Sequence, residues 1–142
     1  MKRDFLILSL FLVLSGCATS AKGPLFTEAP PAPNQKSTLY IFRARTLQMG
    51  TPKVKINNQL FANLTSNGYS YAYLSPGVYR ISFEYTPLAD SDFMTEVEMK
   101  EGKNIYLLFS GSYVSEMTKE RASEQIKNYR YVDPINKDFK SP

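Results

Sequence analysis

The stretch SPGVYRISFEY, Ser75 to Tyr85, decides the fold class of this chain. It opens with a Pro-Gly turn, after which apolar and polar side chains alternate with a period of two. One face carries Tyr79, Ile81, Phe83 and Tyr85, and the other carries Arg80, Ser82 and Glu84. This alternation is typical of a half-buried antiparallel strand. We therefore expect the aromatic face in a core and the polar face in solvent.

Segments on both sides of this stretch also predict strands, because they are rich in aromatic and β-branched residues and end at Gly, Pro or Asn turns. They are TLYIFRA (38–44), KVKINNQLFANL (53–64), NGYSYAYL (67–74), FMTEVEMK (93–100) and NIYLLFS (104–110). The last of them is apolar on both faces, which predicts a central strand.

The segment 53–64 predicts a β-hairpin. Asn57 and Asn58 both tolerate positive φ, as a two-residue type I′ turn requires. Such a turn places Val54 and Ile56 opposite Phe61 and Gln59, respectively.

Only TKERASEQIKNY, Thr118 to Tyr129, has helical periodicity, with Ala122, Ile126 and Tyr129 on one face and Thr118 as the N-cap. The chain is therefore expected to be mainly β, an antiparallel β-sandwich of about seven strands with one short C-terminal helix. We expect this domain to span residues 37–133 and to be followed by a C-terminal tail, residues 134–142.

The N-terminus has the layout of a secretory signal peptide, residues 1–16, with Lys2 and Arg3 before an apolar run that ends at Leu14. That run is too short for a comfortable transmembrane span. The residues Leu14-Ser15-Gly16-Cys17 resemble the bacterial lipobox, which implies cleavage between Gly16 and Cys17 and acylation of the Cys17 thiol. The alternatives are an ordinary signal peptide with an incidental cysteine and an uncleaved anchor.

Residues 17–36 form the expected lipidated N-terminus and a proline-rich tether. An ordered arm that packs through Leu25 and Phe26 is the alternative. Ala18 follows the cysteine where lipoproteins kept in the inner membrane often carry aspartate, so the resemblance favours the outer membrane, at its periplasmic face. The expected partners are therefore membrane lipid, through acylated Cys17, and an envelope protein.

The composition argues against catalysis. The chain has no histidine and a single cysteine, so the usual metal ligands and nucleophile–base pairs are missing. Asp90 and Asp92 match only a fragment of a calcium loop. We therefore expect no enzyme, no metal and no cofactor. The net charge of +4 is compatible with anionic headgroups, whereas export argues against nucleic acid.

Four stretches, in order and spacing, resemble a family of small bacterial envelope lipoproteins with a domain of unknown function, related to PEGA and transthyretin-like β-sandwiches. They are LYIFRAR (39–45), VKINNQLFANL (54–64), SPGVYRI (75–81) and EGKNIYLLF (101–109). The family pattern has a first strand ending in arginine. This chain departs from it with Asn57-Asn58 in place of Asp-Gly, and with Tyr79 where histidine is common. The resemblance implies a fold and an envelope location, but no activity.

Two functions remain: a structural or protein-interaction module, and a binding module for a small ligand or cell-wall glycan. The first is favoured because no polar groups converge as a pocket requires. Tyr69, Tyr71 and Tyr73 share one face of a short strand, so they form the candidate binding surface if Leu74 points inward. The alternative is that this tyrosine side is itself core, or is covered by the C-terminal helix.

Overall fold

The computed structural model describes residues 20–46, 50–85 and 93–139, and in these ranges the chain forms nine strands and one helix. The strands are β1 (Ser37–Arg43), β2 (Lys53–Ile56), β3 (Gln59–Asn63), β4 (Gly68–Leu74), β5 (Gly77–Glu84), β6 (Phe93–Met99), β7 (Ile105–Phe109), β8 (Val114–Met117) and β9 (Arg130–Tyr131). The helix, α1, spans Lys119–Ile126 between β8 and β9. The chain is therefore mainly β, as predicted.

The strands form two sheets, a five-stranded sheet in the order β8-β7-β1-β4-β9 and a four-stranded sheet in the order β3-β2-β5-β6. The four-stranded sheet is antiparallel throughout, but β1 pairs in parallel with β7, and β4 with β9. The prediction of a purely antiparallel fold is therefore wrong. Residue alternation reports which face of a strand is buried and carries no information about the direction of its neighbour.

The period-two prediction for β5 is confirmed on its apolar face, where Tyr79, Ile81 and Phe83 have no exposed surface. On the other face Arg80 is exposed, but Ser82 is buried, contrary to the prediction. Ser82 lies between Lys55 of β2 and Met94 of β6 in the ladder, and both are longer side chains that can cover it. A small polar residue on an interior strand is thus shielded by its neighbours.

Strands β1 and β7 of the five-stranded sheet are buried on both faces. In β1, Leu39 and Ile41 join a cluster that also contains the buried face of the four-stranded sheet, whereas Tyr40 and Phe42 join a second cluster with α1. All five residues of β7 are buried and divide between the two clusters in the same way. This confirms the prediction that β7 is a central strand.

The β2–β3 hairpin turns at Asn57 and Asn58, whose φ angles of 48° and 64° agree with the predicted positive values. Ile56 lies opposite Gln59, as expected. Val54, however, pairs with Ala62 instead of Phe61, because a bulge shifts the register between Val54 and Lys55. The extra residue of a bulge cannot be read from alternation alone.

The predicted helix is confirmed, although it ends at Ile126, three residues before Tyr129. The Thr118 side chain caps it by accepting a hydrogen bond from the Arg121 N–H at 3.4 Å. Ala122 and Ile126 are fully buried in the second cluster. The described part of the chain contains no helix with the length and apolar character needed to span a membrane.

Candidate functional site: a tyrosine face covered by an N-terminal arm

The three tyrosines of β4 lie on the outer face of the five-stranded sheet. Leu74 is fully buried and belongs, with Ala72, to the cluster shared by the two sheets. The alternation of the strand therefore turns Tyr69, Tyr71 and Tyr73 to the opposite face. This orientation agrees with the expected inward position of Leu74.

Neighbouring strands extend this group into a continuous aromatic surface. We call it the tyrosine face, and it comprises Tyr40, Tyr69, Tyr71, Tyr73, Tyr106 and Tyr131. The rings of Tyr40 and Tyr106 stack in parallel with centroids 4.8 Å apart. Tyr71 lies near the centre, with its centroid 5.5–6.0 Å from those of Tyr40, Tyr73 and Tyr131.

The tyrosine face is covered by residues 20–36, which we call the arm. Only 2% of Tyr69 is exposed, and Tyr71 and Tyr73 are half-buried. The Phe26 ring packs edge-on against Tyr40 and Tyr69, at centroid distances of 6.0 and 5.0 Å. The buried Tyr69 is therefore part of the second core, so the β4 tyrosines do not form an open stripe.

Backbone hydrogen bonds fix the start of the arm along β9. The Phe26 N–H donates to the Tyr129 carbonyl at 2.9 Å, and the Tyr131 N–H donates to the Pro24 carbonyl at 2.8 Å. Gly23 lies so close to this strand that a Cβ there would be 2.1 Å from the Tyr131 carbonyl oxygen. Glycine is therefore required at this position by backbone contact.

Three tyrosine hydroxyls bind the backbone of the next part of the arm. The N–H groups of Thr27 and Ala29 donate to Tyr69 Oη at 3.4 Å and to Tyr40 Oη at 3.0 Å. Tyr73 Oη donates to the Pro30 carbonyl at 2.9 Å. An extended proline-containing segment makes no internal hydrogen bonds, so these hydroxyls satisfy backbone groups that would otherwise need water.

Residues 20–36 thus correspond to the ordered arm and not to a free tether. The prolines predicted an extended segment. They gave no sign of the aromatic face that holds it, because a segment of small residues and prolines has no apolar periodicity.

Burial keeps these phenols protonated. It raises the pKa of Tyr40 to about 12, although the hydrogen bond from the Ala29 N–H opposes the shift. Burial likewise raises the pKa of Tyr131 to about 12 and that of Tyr73 above its ordinary value. At physiological pH each of these three hydroxyls can therefore act as a neutral donor or acceptor.

A separate polar groove of about 250 Å³ lies outside the β2–β3 turn, lined by Asn57, Asn58, Val78, Arg80 and Glu96. Its polar groups are largely paired with one another. The Asn57 Oδ1 accepts a hydrogen bond from the Arg80 N–H at 2.9 Å, and an Arg80–Glu96 ion pair spans 3.7 Å. None of the lining residues is aromatic, so the groove lacks the stacking platform that suits a glycan.

The predicted lipidation and cleavage residues fall outside the described ranges, as do the two aspartates of the calcium-loop fragment. Gly16 and Cys17 precede Ser20, and Asp90 and Asp92 lie within the undescribed segment 86–92. Among the described residues, no three His, Cys, Asp or Glu side chains lie close enough together to hold a metal ion.

One residue with a structural role was not singled out from the sequence. Arg43 at the end of β1 is 1% exposed, and its Nη1 donates to the Gly50 and Leu64 carbonyls at 2.8 and 3.2 Å. Its guanidinium also lies 5.8 Å from the centre of the Tyr85 ring. Burial lowers its pKa. The arginine that ends the first strand of the resembling family was the available signal.

A family model described as "Protein of unknown function (DUF2846)" matches residues 33–122, well over half of the chain. The match includes β1 to β8 and the first half of α1 and begins near the end of the arm. No curated protein matches the chain.

Proposed function

The chain belongs to the DUF2846 family, whose function is unknown, and from its own residues we propose that it is a non-catalytic, lipid-anchored interaction module of the bacterial envelope. In this proposal Cys17 carries the lipid, and the domain docks on another envelope protein at the periplasmic face of the outer membrane. In this proposal the two sheets pack face to face as a sandwich. The core cluster that draws on both sheets supports this arrangement, as does the stacking of Phe83 of β5 on Phe109 of β7 at 4.4 Å.

The observation that carries the proposal is the contact between the start of the arm and the domain. Ser20 forms a β-bridge with Ser66, and the Ala21 N–H donates to the Ser66 carbonyl at 3.3 Å. Cys17 precedes Ser20 by three residues, which span at most about 10 Å when extended. A lipid on Cys17 therefore holds the Ser66 end of the domain beside the membrane surface.

The anchor itself is supported by the lipobox residues, Leu14 to Cys17. One fatty chain binds a membrane only weakly, whereas the two or more chains of a bacterial lipoprotein anchor stably. The separation of three residues between Cys17 and Ser20 then limits how far the domain can move away from the bilayer, so the anchor sets its orientation as well as its location.

The partner-binding surface in this proposal is the outer face of the four-stranded sheet, because the arm and α1 cover the other sheet. Val78 of β5 and Met94 of β6 are 53% and 59% exposed, which is high for apolar side chains. Around them lie the charged residues Arg80, Glu96 and Glu98. Apolar side chains bordered by charges suit a protein surface of complementary charge.

The alternative, a binding module for a small ligand or glycan, requires acidic and amide groups beside exposed aromatic rings. The polar groove at the β2–β3 turn has amides and one carboxylate, but no aromatic residue in its lining. The described residues therefore favour the interaction module.

Lipidation is tested by substituting Cys17→Ser in the full chain and measuring the mass of the N-terminus. We expect unprocessed precursor without acyl chains. Ser15→Ala, which keeps a small residue at the cleavage site, is the control and should be processed normally. If Cys17→Ser is still cut before residue 17, or if the wild-type N-terminus carries no acyl chains, the lipoprotein proposal is wrong.

Orientation is tested with fluorescent labels on two exposed positions, introduced as Asn63→Cys and Glu101→Cys. Asn63 lies three residues from Ser66, whereas Glu101 is near the opposite ends of β1 and β4, about 20 Å away along the strands. Quenchers attached to lipid headgroups should therefore quench the label at position 63 more strongly. Equal quenching at both positions would contradict the proposed orientation.

The partner surface is tested with a photocrosslinking amino acid at position 94 in cells. We expect a discrete adduct with an envelope protein, and we expect Val78→Arg to abolish it without lowering Tm. The control carries the crosslinker in place of Tyr113, which is also exposed. Tyr113 lies in the loop between β7 and β8 of the five-stranded sheet. An adduct that survives Val78→Arg, or that forms equally from position 113, would place the partner elsewhere.

A further inference from the structure

The tyrosine face has the properties of a binding site for an extended peptide. It supplies a slot for one aromatic ring, Phe26, and three hydroxyls that bond the backbone of residues 27–30. Aromatic surfaces that offer hydroxyls are a recurring means of binding proline-rich segments, because such segments are already extended and lose little entropy. The arm is the ligand that occupies this site.

The arm is joined to β1 by a tight turn with an unfavourable backbone. Asn34 and Gln35 have φ angles of 50° and 59°, and the Lys36 N–H donates to the Pro33 carbonyl at 3.0 Å. The left-handed region is costly for residues other than glycine; asparagine tolerates it and glutamine does so less well. An extended backbone at residues 34–36 would release this strain without breaking a contact between the arm and the tyrosine face.

We propose that the tyrosine face binds the arm of a second copy of this chain, in an arm-exchanged dimer that opens at Asn34 and Gln35. Every contact between arm and face re-forms between the two copies, and the strain of the turn is released. A short, strained connection is a known route to exchange of an identical element between protomers.

The arm of a second copy fits this site better than an unrelated proline-rich peptide would. Gly23 is required where the backbone meets Tyr131, and Phe26 is required between two rings. The Glu28 carboxylate also lies 3.2 Å from Lys119 Nζ on α1. These requirements, spaced along one segment, are met together by the arm's own sequence.

The length of the opened turn determines where the two copies meet. Residues 34–36 span about 10 Å when extended, so the domains must approach at the end where β1 begins and β4 finishes. This end is opposite Ser66, so two copies that exchange arms and lie side by side place both Ser66 ends at the same membrane.

The test uses two differently tagged full-length copies in one cell, one with the photocrosslinker p-benzoylphenylalanine in place of Phe26. We expect an adduct between the copies that joins the arm of one to a β1 or β4 peptide of the other, identified by mass spectrometry. The same crosslinker at Tyr113, which is 58% exposed in the β7–β8 loop, is the matched control and should not give this adduct.

Two substitutions of Gln35 should shift the equilibrium between monomer and dimer in opposite directions. Gln35→Gly removes the left-handed penalty from both turns of the dimer, about tenfold for each, so it should lower the dimer–monomer equilibrium constant roughly a hundredfold. Gln35→Pro fixes φ near −65° and excludes the closed turn, so it should raise the dimer fraction. The proposal is overturned if adducts from position 26 stay within one chain, or if Gln35→Pro releases the arm and leaves a monomer.

Discussion

The ring of Phe26 meets the ring of Tyr69 edge-on, with centroids 5.0 Å apart, although 42 residues of chain lie between them. Through this contact a segment expected to be a tether becomes part of the second core. Edge-to-face packing is a favourable geometry for two aromatic rings, and it stabilises a protein by more than the buried area alone would. The arm is therefore expected to stabilise the domain as well as to connect it to its N-terminus.

We predict that Phe26→Ala lowers the free energy of unfolding by about 1–3 kcal/mol, less than a fully buried phenylalanine because the ring is only half-buried. Urea denaturation measures the loss, and limited proteolysis should show faster cleavage within residues 20–36. Leu25→Ala is the matched control, because the adjacent Leu25 is 50% exposed and should change stability little. Equal effects of the two substitutions would show that the ring does not hold the arm.

Replacing Tyr71 and Tyr73 together with alanine should lower Tm markedly. Tyr71 contacts three other rings, and the Tyr73 hydroxyl bonds the Pro30 carbonyl, so the pair links the arm to the sheet. Differential scanning calorimetry measures the change. If Tm stays nearly unchanged while crosslinking to a partner is lost, these tyrosines serve recognition and not the fold.

Much of the fold followed from local patterns. The buried face of β5, the central position of β7 and the turn at Asn57-Asn58 could be predicted, because each depends on residues adjacent in sequence. The parallel pairing of β1 with β7 could not be predicted. Between these two strands the chain enters the four-stranded sheet, and local patterns do not indicate where it rejoins the five-stranded sheet. The two-residue strand β9 is too short to carry any periodicity.

The orientation of the tyrosines in the candidate site could be predicted from the sequence, but the segment that covers them could not. Alternation placed the β4 tyrosines on one face and Leu74 on the other, and the structure agrees. The cover over that face could not be derived, because Gly23 and the hydroxyl contacts act through the backbone of the arm. Backbone recognition leaves little trace in side-chain patterns.

Phe83→Ala should cost about 3–5 kcal/mol of unfolding free energy, as expected for a large-to-small change in a core. Phe83 is fully buried and stacks on Phe109, so its removal leaves a cavity between the two sheets. Val78→Ala, on the exposed side of the same strand, is the control and should change stability by less than about 1 kcal/mol. Similar losses for both would contradict the role of Phe83 in a shared core.

The stability of the protein should fall at alkaline pH through Tyr40. Burial raises the pKa of its phenol to about 12, from an ordinary value of 10.0, so the folded protein holds this proton more tightly than the unfolded chain does. The contribution to stability is therefore complete below pH 10 and is lost as the pH rises through 12. Urea denaturation at several pH values between 8 and 12 measures the decline, and Tyr40→Phe should make it shallower.

Tyr40→Phe also removes the acceptor of the Ala29 N–H, so it should lower stability at pH 8 by about 0.5–1.5 kcal/mol. Tyr131, whose pKa burial also raises to about 12, remains in both proteins, so the difference between the two curves isolates Tyr40. Tyr113→Phe, at an exposed position, is the control and should follow the wild-type curve. If the stability of Tyr40→Phe declines as steeply as that of the wild type above pH 10, ionisation of Tyr40 does not cause the alkaline loss of stability, which then arises from other buried tyrosines.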